Sequence, residues 1–328
     1  MLLFVPFKEK RGYSFSMKSN SFSIRDMILE KQKKKRNKSG VEGIVPIILL
    51  LTAIASVLTT LGILLTLIFE TITFFNHVSM GEFLTARKWY PFSETKGSFG
   101  ILPLVSGTLK VTLIGIIVAV PIGLASATFL SEYASDRTRR IIKPILEVLA
   151  GIPTIVYGFF ALTFVTPILK IFIPNLEIFN ALSPGIVIGI MIIPMIASLS
   201  EDAMSSVPNA MREGALALGS TKFEVATKVV LPAAMSGIIA SIVLGISRAI
   251  GETMIVAVAG GSTPNLNWNL TSSIQTMTAY IVQVSAGDAG YGTIIYFSIY
   301  AVGFTLFIFT LAMNLLAQYI SRRFREEY

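Results

Sequence analysis

"REGALALGSTKFEVATKVVLP", residues 212–232, lies between two long apolar runs, and its reading decides the fold. Helix-forming residues fill Ser205–Leu218 and stop at Gly219, a residue suited to the left-handed position that ends a helix. Thr221, followed three residues on by Glu224, has the spacing of a capping box, so a second helix restarts at once. The stretch is therefore expected to be a helix–turn–helix lying on a surface rather than a bare link. Ala215, Ala217 and Gly219 give it a small-residue face that lets another protein approach closely. The spacing of Gly214–Thr221 superficially matches a phosphate-binding loop, but Ser220 stands where that loop needs lysine and no strand precedes it. A nucleotide site is rejected.

Outward from this loop the chain is apolar. Of 328 residues 53% are hydrophobic and 14% charged, with a mean hydropathy of +0.71, which excludes an ordinary soluble domain. The apolar runs are Ile44–Phe69, Val111–Leu130, Ile145–Leu169, Pro184–Leu199, Ala233–Gly260 and Ile294–Ile320. Most reach the roughly 20 residues an α-helix needs to cross a bilayer, and lipid leaves no other way to satisfy their backbone. The expectation is an all-α membrane protein with six spans over 44–320, a basic tail at 1–43 and a short one at 321–328. "KQKKKRNK" (Lys31–Lys38) is read as a solvated segment that touches anionic lipid, not part of a cleaved signal, and Met17 is an alternative start.

Lys and Arg number 11 in 1–43, 4 in 131–143, 3 in 205–230 and 3 in 321–328, but only 4 in 70–110, 1 in 169–183 and none in 259–293. This alternation places both termini and the 205–230 loop in the cytoplasm. The formal charge of +8 is thus topological and does not point to nucleic acid. Cysteine is absent, which excludes disulfides and thiolate metal sites, and the single His77 makes no metal site alone. Trp89 and Tyr90 are read as interfacial aromatics, and Glu147, Glu201 and Asp202 as interfacial carboxylates. A short helix is expected at Ser272–Val284, and the G-x-x-x-G of Gly185 and Gly189 as a helix-packing face. No nucleophile–base or metal constellation suggests an enzyme.

One basic residue escapes the topological account. Arg248, with Glu252, is the only charge between Pro232 and Asp288. A charge in the hydrocarbon costs about 2.5–3.5 kcal/mol even on lenient scales, so it must be partnered or line an aqueous path. Four residues apart on one helix, the two could pair. Arginine's planar fork also fits the oxygens of a tetrahedral anion. By physics alone, a substrate path and a structural ion pair both remain open. Thr154 and Tyr157, beside Pro153, are further path candidates, or else satisfy backbone freed by the proline.

The 212–232 loop resembles the E-A-A-x3-G-x9-I-x-L-P segment of ABC importer permeases. Glu213, Ala215, Gly219, Leu231 and Pro232 are in register, with Gly214 and Val229 replacing an alanine and the isoleucine. "SRAIGETM" (247–254), "GILPLVSGTL" (100–109) and "GIPTIVYG" (151–158) look like the PstC-type permeases of phosphate (Pst) importers, over roughly residues 100–320. The resemblance implies a type I (MetI-like) permease fold. It implies coupling to an ATPase through Arg212, Glu213, Gly214, Ala215, Gly219, Leu231 and Pro232, and a phosphate path at Arg248 and Glu252 with Thr154 and Tyr157. The implied partners are a PstA-like permease, a PstB-like ATPase dimer that binds the ATP and Mg, and a PstS-like binding protein. No cofactor is expected in this chain. The alternatives are another oxyanion, such as sulfate or molybdate, or a gradient-driven secondary transporter.

Overall fold

The computed structural model describes residues 24–93 and 97–323. Residues 1–23, with the alternative start at Met17, and residues 324–328 of the short tail lie outside that description. By its contacts the chain divides after Ile63. The first unit is helical from Ile24, so the basic run is continuous with the apolar one instead of a loose leader. Its Ile44–Ile63 stretch exposes its apolar side chains, and Thr52, Thr59 and Thr60 turn their hydroxyls back onto helix carbonyls. That satisfies these hydroxyls within the helix.

The second unit begins with the end of helix α1 (Ile24–Phe75) and helix α2 (Met80–Thr85), capped by Ser79. A two-residue hairpin follows, strand β1 (Trp89–Tyr90) antiparallel to β2 (Ser98–Phe99). Trp89, expected at an interface, is buried instead. Its ring meets Tyr280 at 4.9 Å and Phe99 at 5.8 Å edge to face, in a cluster with Phe74, Phe83 and Leu104. Tyr90, the neighbour on the other face of the strand, is exposed. Strand alternation separates the two residues.

Helix α3 (Leu102–Thr128) opens with Pro103 and runs on through a π-helical turn, Phe129–Tyr133. Helix α4 (Asp136–Ala150) corrects a sequence expectation. The apolar run 145–169 was read as one span, but α4 ends at Gly151 and the span is Thr154–Phe172. Its parts are α5 (Thr154–Phe160), a π turn and α6 (Thr166–Phe172). Pro153 breaks the run because it lacks an N–H and pushes the residue before it out of helical geometry. The apolar face of the amphipathic α4 had supplied the extra hydrophobic letters.

Helix α7 (Leu182–Ser205) packs along α3 through glycines. A Cβ on Gly185 would fall 2.7 Å from the Cβ of Ile114, and one on Gly189 would fall 2.8 Å from the Gly115 carbonyl oxygen. The expected packing face thus forms a close α3–α7 contact. Helices α8 (Asn209–Ala217) and α9 (Lys222–Val225) follow, and α9 continues through a π turn into α10 (Leu231–Ala233). The chain then bends by 73° into α11 (Met235–Ile250). After a break comes α12 (Met254–Ala259) and an irregular return to α13 (Met277–Gln283), which is shorter than the expected 272–284. Helix α14 (Ile294–Arg323) closes the described chain. Among the described residues five helices are long and apolar enough to cross a membrane, or six if the bent pair is one span.

Three buried clusters divide this unit along its length. The aromatic one lies at the hairpin end. A central one joins α3, α5, α7 and α12 through Val111, Ile188, Ile192, Tyr157 and Ile255. A third lies under residues 205–234, around Met204, Val207, Val225 and Val230.

Candidate translocation and docking sites

The polar heart of the chain is the break between α11 and α12. Sequence spacing put Arg248 and Glu252 on one helix face as a pair, and the structure overturns that. Helix α11 ends at Ile250 with Gly251 as its cap, so Glu252 lies beyond it. No ion pair joins the two among the described residues. Instead the Glu252 Oε1 accepts from the backbone N–H of Met254 (3.1 Å) and Ile255 (3.3 Å), at the start of α12. Its own carbonyl accepts from Thr278 Oγ1 at 2.8 Å, tying the break to α13. Glu252 is buried, whereas Arg248, in the last turn of α11, is exposed.

Electrostatics explains each charge separately. Helix C-termini favour cations and N-termini favour anions, because the unsatisfied carbonyls and N–H groups there carry partial charge. Arg248 and Glu252 each stand at the end that suits their sign. The carboxylate is used internally, and the guanidinium has no hydrogen bond or ion pair among the described residues. An always-charged fork without a protein partner, roughly 20 Å along a helix from its start, can take an anion.

Helix α5 lies against α12, with Gly158 so close that a Cβ there would sit 3.0 Å from Val258 Cβ and 3.1 Å from the Met254 carbonyl. The structure thus brings the 151–158 and 247–254 segments together. Thr154, the first residue of α5, is half-buried and its hydroxyl has no partner among the described residues. The buried Tyr157 donates its hydroxyl to the Leu149 carbonyl at 2.8 Å, which braces α4 on α5. That satisfies backbone freed at the Gly151–Pro153 break and gives the Tyr157 hydroxyl a structural task.

The 205–230 loop forms as its sequence suggests. Gly219 adopts φ +89°, and Thr221 and Glu224 exchange backbone and side-chain hydrogen bonds in a full capping box. Arg212, however, points inward. It binds Glu132 at 3.1 Å and caps the carbonyls of Met204 (2.7 Å) and Val207 (2.5 Å), fastening α8 to the ends of α3 and α7. Ala215 and Leu231 pack on the third cluster. Glu213, Gly214 and Pro232 are exposed, and so are Leu216, Leu218 (90%) and Phe223 (67%). Leu216 lies on α8, Leu218 caps it and Phe223 lies on α9, so the exposed apolar side chains gather around the Gly219 turn, a patch suited to contact with another surface.

Two features escaped the sequence reading. Glu201, expected at an interface, is buried and holds Arg139 and Lys143, each at 2.8 Å. Lys143 also reaches the exposed Asp202 at 2.9 Å, and its bonds to the two carboxylates raise its pKa. The cluster fixes the amphipathic α4 to α7. Lys110, counted with an external segment, lies inside α3 and is fully buried. Pro103 was the available signal, since a proline at a helix start places residue 110 about two turns in.

Helices of this arrangement with an exposed surface loop define a class. The family described as "Binding-protein-dependent transport system inner membrane component" matches residues 119–326, and the chain belongs to it. It is a multi-pass membrane subunit of an ABC importer, a transport subunit, with a type I (MetI-like) permease fold.

Its relatives narrow the class. The chain is 35% identical over 248 residues to the probable ABC transporter permease protein YqgH of Bacillus subtilis, covering 76% of this chain and 80% of that one. It is 35% identical over 257 residues to the phosphate transport system permease protein PstC of Xylella fastidiosa (72% and 77% covered). The same name belongs to a Haemophilus influenzae protein 34% identical over 277 residues, covering 77% and 86%. Among solved structures, a chain of a bacterial alginate ABC transporter superposes with a TM-score of 0.62 at 17% identity, over 88% of this chain and 96% of that one. One of the MetNI methionine transporter gives 0.53 at 18%, over 68% and 96%. The family assignment removes the gradient-driven alternative.

Proposed function

We propose that this chain is the PstC-type permease of an importer that takes up inorganic phosphate across a bacterial plasma membrane, with both termini in the cytoplasm. The observation that carries the reading is Arg248, a membrane-embedded cation whose fork is left free because Glu252 is spent on the start of α12. The phosphate permeases among the relatives support phosphate as the anion. Thr154 starts α5, the helix that packs on α12 at Gly158, and Tyr157 holds that helix in place.

A PstA-like permease completes the path, and a PstS-like binding protein delivers the anion. ATP and Mg are bound by a PstB-like ATPase dimer, which receives α8 and the exposed Leu216, Leu218 and Phe223. Glu213, Gly214 and Ala215 form the contact, Gly219 sets the turn, and Arg212, Leu231 and Pro232 hold the loop in position. Uptake of labelled phosphate by the complete complex in ATP-loaded vesicles tests the proposal. Arg248→Gln should abolish uptake while the complex still assembles. Wild-type uptake by that variant would sink the role, and a wild-type complex that carries sulfate but not phosphate would reassign the anion.

A further inference from the structure

Lys110 is the most deeply buried cation among the described side chains, with none of its surface exposed. It does not snorkel to a membrane surface, as lysines in spans ordinarily do. The other cations that are not fully exposed each hold a carboxylate: Arg139 and Lys143 hold Glu201, and Arg212 holds Glu132. Lys110 forms no ion pair among the described residues and donates only to the Asn265 Oδ1, at 3.2 Å. A neutral amide oxygen is a weak return for a desolvated ammonium. One turn earlier on the same face of α3, the Ser106 hydroxyl is buried without a partner. A cation and a hydroxyl donor, both under-used, therefore share one helix face.

Their surroundings connect them to the outside and to the break. Asn265 donates in turn to the Ser273 carbonyl, and Ser273 lines a cavity of about 710 Å³ with Lys170, Glu177 and Gly261. On the other side, Thr108 of α3 accepts from the N–H of Met277, and Thr278 binds the Glu252 carbonyl. Lys110 thus lies on a helix that meets the irregular 260–276 return through Asn265 and, two residues away, meets α13 through Thr108.

We propose that Lys110, with Ser106, is a second oxyanion-binding residue on the transport path, occupied by Asn265 in this conformation and released to the anion when the 260–276 segment withdraws. It holds a tetrahedral oxyanion, inorganic phosphate on the function proposed above, before Arg248 does. The inference rests on that function. An ammonium offers three donors in free directions, which suits an anion that arrives and leaves. Asn265 keeps the charge satisfied without quenching it, as a carboxylate would.

The test uses the full complex with its native partners in vesicles, labelled inorganic phosphate, and three variants. Lys110→Met removes the charge, Lys110→Gln keeps a donor for Asn265 without the charge, and Lys110→Arg keeps the charge. The expected result is at least a tenfold loss of uptake for Met and Gln, with thermal stability unchanged, and substantial uptake for Arg. Wild-type uptake by Met or Gln overturns the proposal. So does a loss in all three variants that tracks a fall in thermal stability, since that describes a clamp on the 260–276 segment. If the wild type carries sulfate in place of phosphate, the phosphate reading fails on the wild type, and the same variants judge Lys110 with labelled sulfate.

Discussion

Removing the Arg212 side chain should free α8 without unfolding the rest of the chain. Helix α8 buries none of its residues, so hydrophobic contact holds it weakly. The guanidinium supplies most of the rest, with two charge-assisted bonds to carbonyls and a contact to Glu132. Hydrogen bonds to charged groups contribute about 1.5–3 kcal/mol each, and stripping one partner from a buried pair costs about 3–5 kcal/mol. Arg212 is 15% and Glu132 9% exposed, so water would recover part of that. A net loss of about 3 kcal/mol follows for Arg212→Ala, which raises the local opening equilibrium roughly 150-fold.

Hydrogen exchange of the purified permease, followed on peptides covering 209–217, reads this directly. Exchange there should accelerate by about two orders of magnitude in Arg212→Ala, while peptides from α3 and α7 stay protected. Arg212→Lys should recover only part, because a point charge cannot span Glu132 and both carbonyls. Glu132→Gln, which keeps an acceptor, should give a smaller acceleration, and the double variant should be less than additive because the two side chains act on one contact. Unchanged exchange in Arg212→Ala, or strict additivity with Glu132→Gln, would refute the view that this strut holds the docking helix.

Gly189→Ala should lower thermal stability by about 1–3 kcal/mol, because the new Cβ meets Val118 Cβ at 2.7 Å and a backbone oxygen at 2.8 Å; an unfolding midpoint equal to wild type counts against the close α3–α7 contact. Glu201→Ala should cost about 1–2 kcal/mol, discounted because Arg139 and Lys143 are about one-third exposed. Its signature is release of α4, seen as new proteolysis or exchange at 136–150, and continued protection there opposes the reading. Glu252→Gln keeps an oxygen for the Met254 and Ile255 N–H groups, so stability should hold within about 1 kcal/mol. A large drop in midpoint would show that the charge itself, and not the acceptor, secures α12.

How legible this was in the sequence depended on which physics governed each element. Spans were readable because apolar composition is itself the requirement for lying in lipid, and the 212–232 loop because Gly219 and the Thr221–Glu224 box are local chemistry. The errors arose where composition and geometry part. Ile145–Leu169 read as one span because the apolar face of an amphipathic helix and a true span use the same letters, and only Pro153 separates them. Arg248 and Glu252 read as an i,i+4 pair because the spacing presumes an unbroken helix, while Gly251 ends it. Trp89 and Glu201 read as interfacial, and Lys110 as part of an external segment, because burial by distant elements, such as Tyr280 against Trp89, leaves no trace in nearby sequence.

The helix break gains its meaning from what lies on either side of it. Helix α11 is keyed into α7 where Gly245 admits Ile192 and Ile196, and α7 is keyed into α3 through Gly185 and Gly189. Arg212 ties α8 to the ends of those same two helices. A force on the docking loop therefore reaches α3, α7 and α11 as one packed body, because close-packed helices move together before they deform. Helix α12 packs against α5 at Gly158 and is tied to α13 through Thr278, while the central cluster also joins it to α7. The chain passes from α11 to α12 at residues 251–253, where the helix is interrupted. Arg248 lies in the last turn of α11, and Glu252 secures the start of α12. A change of angle at this break would alter the surroundings of the free guanidinium while leaving the carboxylate's bonds intact, and that asymmetry is what an i,i+4 ion pair on one rigid helix could not provide.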